Sequence, residues 1–180
     1  MLNREETADH NYRRALALLR EGNPTDALSL IYEVLNIEPR HMLALILAGE
    51  IYLDKDMNLD PPAAYSTAIG YFNRVLAVEP KYADAWSGKA LALLYLEKPG
   101  QALDAAENGL FVLPLRIGYG MMSADVYTNV AEALFDRKVC ALLSLGRKSD
   151  ARQALYDGFE HCPGSEYLSR LVKEFMPDSA

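Results

Sequence analysis

Cysteine is scarce in this chain, with two residues in 180, Cys140 and Cys162. That number cannot supply the disulfide framework of a small secreted domain. Two free thiols suit a reducing compartment, where each reads as a small buried apolar residue. Histidine occurs three times, at His10, His41 and His161, with no paired His or Cys at metal-ligand spacing and no third group set to orient a general base. No catalytic residue, metal or cofactor is therefore assigned, and the chain is not expected to be an enzyme. Basic runs are lacking too. With a net charge of -7 and no local cluster of Lys or Arg, the surface is ill suited to neutralising phosphates, so nucleic acid is not an expected partner. The longest uncharged apolar run, within "HMLALILAGE", is far below the roughly 20 residues of a bilayer span, so no membrane partner is expected. The opening "MLNREETADH" is charged from its fourth residue and has no apolar segment of the secretory kind, and the expected location is cytoplasmic.

What the chain does have is apolar content and a rhythm. At 51% hydrophobic over 180 residues, it can bury a core as one domain or one short repeat array. Its prolines set the period. Pro80 and Pro114 are 34 residues apart, Pro39 and Pro80 are 41 apart, which is 34 with seven inserted, and Pro114 and Pro163 are 49 apart, which is 34 with 15 inserted. A fixed period with two insertions marks stacked supersecondary units.

The residues between the prolines agree from unit to unit. One unit carries Trp86, Ala90, Leu93, Ala102, Gly109 and Pro114; another carries Leu45, Ala48, Gly49, Tyr52, Ala68, Phe72, Val75 and Pro80. The first has Asn11 in the Trp place, then Ala15, Leu18, Gly22, Ala27, Ile31, Val34 and Pro39, and the last has Phe135, Val139, Leu142, Gly146, Ala151, Leu155, Gly158 and Pro163. This pattern resembles the tetratricopeptide repeat family, whose units read W-x2-L-G-x2-Y, then A-x3-F, A and P. The resemblance implies an all-α, right-handed superhelical solenoid of four helical hairpins with a C-terminal capping helix. A single domain then covers 1–180, with repeats at about 8–41, 42–82 with the seven-residue insertion, 83–116 and 132–165, an insertion at 117–131, and the cap at 165–175. Small residues sit where paired helices approach closely, and each proline is expected to end a helix, since it lacks the amide proton and restricts its predecessor.

Helices are expected near 4–21, 24–36, 40–54, 61–78, 82–97, 99–112, 123–145, 148–161 and 165–175, with no strand. Asn23 before Pro24, and Asp60 before Pro61, offer an N-cap acceptor followed by a first-turn proline, and Asn3 with Glu6 a weaker cap. In the last helix, Leu168, Leu171, Val172 and Phe175 share one face. The acidic "DKDMNLDPP" stretch at 54–62 lacks the glycine and the bidentate glutamate of a calcium loop, and reads as an N-capping turn with Asp54 and Asp56 solvated.

In the resembling family the first helix of each pair lines a concave groove. By that resemblance the groove residues are Tyr12, Leu16 and Leu19; Ile46, Glu50 and Leu53; Ser87, Leu91 and Leu94; and Asp136, Cys140 and Leu143. Spacings of four then three keep each trio on one helical face. The expected function is that of a non-enzymatic adaptor that binds an apolar or amphipathic peptide segment in this groove. Leu19, Leu53, Leu94 and Leu143, at the helix ends, also fit simple packing between hairpins. A two-carboxylate clamp for a chaperone C-terminus is excluded, because Tyr12, Leu16, Leu47, Asp84 and Gly88 occupy its places without a cation, and a frame one unit later places Ile46, Glu50 and Gly88 there. The insertion adds an apolar set, Met121, Met122, Val126, Tyr127 and Val130, which fits packing over the chain itself, a homodimer contact or partner binding. Two alternatives to the adaptor are a small tetratricopeptide chaperone for a secretion or assembly client and a structural, homo-oligomerising subunit.

Overall fold

The computed structural model describes residues 3–54, 60–118 and 124–175, with side chains over the same spans except 115–118, 124 and 174–175. The described residues form nine α-helices and no strand: α1 (Arg4–Arg20), α2 (Pro24–Ile37), α3 (Met42–Leu53), α4 (Pro61–Val78), α5 (Ala83–Tyr95), α6 (Pro99–Gly118), α7 (Ala124–Ser144), α8 (Lys148–His161) and α9 (Glu166–Phe175). They fall into two compact units, Met1–Pro80 and Lys81–Ala180.

In the first unit α1 pairs with α2 and α3 with α4, and α2 also touches α3. The α1/α2 crossing is built on Ala8, Ala15 and Ala27, all fully buried. In the α3/α4 hairpin, Phe72 (1% exposed) lies against Gly49, where a Cβ would come within 2.7 Å of its Cζ. The missing side chain is what lets the ring enter. The second unit pairs α5 with α6 and α7 with α8, packs α6 and α5 on α7, and sets α9 against α8 and α7. There Gly109 admits Leu134 and the Trp86 Cβ, and Gly158 admits Phe135, whose Cγ would lie 3.0 Å from an added Cβ.

The α1/α2, α5/α6 and α7/α8 turns share one backbone device. After α1, Gly22 N–H donates to Leu19 O and Asn23 N–H to Leu18 O; after α5, Glu97 donates to Leu94 O and Lys98 to Leu93 O; after α7, Gly146 donates to Leu143 O and Arg147 to Leu142 O. This is the Schellman arrangement, which satisfies the last helical carbonyls and requires a left-handed residue. Gly22 and Gly146 supply it at φ 78° and 74°, but in the α5/α6 turn Glu97 holds φ 55°.

The proline rule holds at Pro39 and Pro80, since α2 stops at Ile37 and α4 at Val78. At Pro114 it fails, and α6 runs on to Gly118 with the proline inside it. Pro114 is exposed, so the carbonyl one turn back that loses its donor lies on an outer face within reach of water. The start of the 117–131 insertion is thus a continuation of α6. The caps also differ from expectation. Asn3 and Glu6 form a full capping box, with both bonds at 2.8 Å, whereas neither Asn23 nor Asp60 makes a side-chain cap bond. Proline at the first helical position favours both starts, joined in α2 by the first-turn Asp26. His41, rather than a proline, opens α3, accepting from Ala44 N–H at 3.2 Å. Asp54 is exposed, and Asp56 lies outside the described residues.

Candidate protein-binding surface

On α1, the buried residues Ala8, Asn11 and Ala15 form the inner face. Asn11, in the Trp place of the repeat, is satisfied there by donating to Glu33 Oε2 at 2.9 Å. Tyr12, Leu16 and Leu19 follow on the flank and remain part-exposed. The Tyr12 ring packs on His41, with centroids 5.3 Å apart, which fixes its orientation. On α3, Glu50 is exposed and Leu53 part-exposed, but Ile46 is buried, and its expected accessibility is corrected. The cause is the composition of α3, apolar on every side, with Ala44 through Gly49 all buried. Leu43, which no sequence signal singles out, is 49% exposed at the start of that helix.

In the second unit Leu91 and Leu94 on α5, and Leu143 on α7, are part-exposed. Ser87 is buried at 8% exposure, a second correction, because α5 is covered by both α6 and α7. Lys89 extends over the Trp86 ring at 5.1 Å, and burial pulls its pKa down. Asp136 is not a free recognition group. Its Oδ1 accepts from Tyr167 of α9 at 2.5 Å, and its Oδ2 from Arg137 Nη1 at 3.0 Å. The Cys140 thiol points at the same Oδ1 from 3.7 Å. Burial first, and then the Asp136 charge and bond, push that thiol up to about 11, so it is a poor nucleophile. Cys140 is nonetheless exposed as a residue while Cys162 is buried, so only the second fits the expectation of an interior apolar residue.

The insertion set is divided. Met121 and Met122 lie outside the described residues. On α7, Val130 is buried, Tyr127 is part-exposed and Val126 is 46% exposed. Among the described residues no group of three or more His, Cys, Asp or Glu is placed to hold a metal ion, and no helix is long and apolar enough to cross a membrane.

No family model matches the chain. Over 67 residues, 37% of the chain, it is 34% identical to the uncharacterised protein MJ0572 of Methanocaldococcus jannaschii, covering 78% of that protein. Among solved structures it superposes on the MamA RS-1 ArsTM double mutant with a TM-score of 0.71 at 17% identity, over 94% of this chain and 83% of that one. The thermophilic TPR protein TTC0263 of Thermus thermophilus gives 0.68 at 18%, over 97% and 82%. The Sgt2 TPR domain of Aspergillus fumigatus gives 0.59 at 17%, over 79% and 82%. With its hairpins in the repeat register, the chain has the all-α fold of solved proteins described by the tetratricopeptide repeat.

Proposed function

We propose that the chain is a non-enzymatic, cytoplasmic protein-interaction adaptor whose first helices receive an apolar or amphipathic segment of another protein. One observation carries this reading. After each hairpin has filled its core, Tyr12, Leu16, Leu19 and Leu53 in the first unit, and Leu91, Leu94 and Leu143 in the second, still have part-exposed apolar surface. Apolar side chains grouped on one face of a helix and left in water are the usual mark of an interface. The acidic balance supports a protein partner over nucleic acid.

Substituting Leu91→Asp tests it. Partner capture from native lysate is lost while the circular dichroism and urea midpoint of the chain stay near wild type. Capture that survives in a folded Leu91→Asp chain rejects the surface; if that variant unfolds, Leu91→Ser with Leu16→Ser repeats the test. A homo-oligomeric role is favoured by one feature, the 46% exposure of Val126 on α7. Light scattering over a concentration series decides it, and a monomer at high micromolar concentration removes that role.

A further inference from the structure

The first unit has a cavity near the C-terminal ends of its second helices, α2 and α4. It measures about 520 Å³ and is lined by Pro39 and Arg40 after α2, Leu45 of α3, and Arg74, Ala77 and Val78 of α4. Among these described lining residues two are arginines and none is acidic, in a chain of net charge -7. Arg74 is held in place from two directions: Nη2 donates to Pro39 O at 2.8 Å, and the guanidinium lies 5.5 Å above the Tyr71 ring. Tyr71 in turn stacks on Tyr52 at 5.9 Å, and the Tyr52 hydroxyl is hydrogen-bonded to that of Tyr32. A ladder of three tyrosines from α2, α3 and α4 thus fixes one arginine. A smaller cavity of about 280 Å³, lined by Thr67, Gly70 and Tyr71, meets the first at Arg74.

A guanidinium has five N–H donors, and the bond to Pro39 uses one. Held by the ladder beside Arg40, the rest form a preorganised set of donors for a planar anion. Leu45, Ala77 and Val78 supply an apolar wall. The last turn of α4 presents its carbonyl end, which disfavours a dianion more than a monoanion. We propose that Arg74 and Arg40 bind a carboxylate of a partner peptide that has an apolar side chain next to it, at a site separate from the first-helix surface. Tyr71 is a positioning residue for Arg74.

The test is a ¹⁵N NMR titration of the full chain with N-acetyl-leucine, its neutral amide N-acetyl-leucinamide, and inorganic phosphate. N-acetyl-leucine shifts the amides of Arg40, Arg74, Ala77 and Val78 at concentrations at least tenfold below those the other two require. Arg74→Gln and Arg40→Gln each weaken that binding at least fivefold. Tyr71→Leu weakens it too, whereas Tyr71→Phe, which keeps the ring, restores it. Equal response to the amide overturns the carboxylate, an equal or stronger response to phosphate overturns the apolar requirement, and unchanged binding by folded Arg40→Gln and Arg74→Gln overturns the site.

Discussion

Replacing Gly49 by alanine should destabilise the chain, although the same change in a helix interior ordinarily stabilises it. Alanine gains about 1 kcal/mol over glycine in helix propensity. At Gly49 the new methyl would lie 2.7 Å from Phe72 Cζ and 2.8 Å from Cε1, against a comfortable carbon separation of roughly 3.5–4.0 Å. Phe72 is 1% exposed, so the ring has no solvent to move into, and overpacking of this kind costs about 1–3 kcal/mol. The net expectation is a loss of about 0–2 kcal/mol. Gly70 in α4 is the control, because a Cβ there meets nothing within 4 Å. Gly70→Ala keeps the propensity gain of roughly 0.5–1 kcal/mol. Urea unfolding followed by far-ultraviolet circular dichroism, at unchanged slope, reads both changes as midpoint shifts of opposite direction. A stabilised Gly49→Ala chain, or equal shifts for the two variants, would refute the close-approach role of Gly49.

Three further outcomes follow from the geometry. Glu97→Gly should raise stability by about 0.5–1 kcal/mol in a urea midpoint, since glycine occupies the left-handed position without the cost of about 1–2 kcal/mol that an ordinary side chain incurs. Cys140 should react with a thiol-specific reagent at pH 8 on the order of 100-fold more slowly than an unperturbed thiol, and Asp136→Asn should accelerate it by removing the charge that disfavours the thiolate. Burial and the bond to Asp136 raise the Tyr167 hydroxyl above its usual value, so its contribution is complete below pH about 10 and is lost as pH rises beyond that. Tyr167→Phe should lower stability by about 1 kcal/mol near neutrality and flatten the alkaline decline in a melting series.

The helices were legible because their apolar residues recur with a helical period and because Pro39 and Pro80 stand just past the ends of α2 and α4. Pro114 misled because sequence does not say whether the carbonyl a proline orphans faces water. The strained turn at Glu97 was within reach of the sequence, since the repeat register sets it opposite Gly22 and Gly146. The surface was only half legible. Register identifies which face of a first helix points away from its partner, and Leu16 and Leu91 remain part-exposed accordingly. It does not say what a neighbouring helix covers, so Ile46 and Ser87 were misplaced. Nor does any local pattern connect Asp136 with Tyr167, 31 residues away, whose bond removes Asp136 from the set available to a partner.

The most direct measurement compares two folded variants in partner capture from the same lysate: Leu91→Asp on a first helix and Phe111→Asp on the second helix α6, where Phe111 is 78% exposed. Loss of the captured protein with Leu91→Asp and its retention with Phe111→Asp is the predicted result. Retention with Leu91→Asp and loss with Phe111→Asp would place recognition on the opposite side of the hairpins and contradict the account.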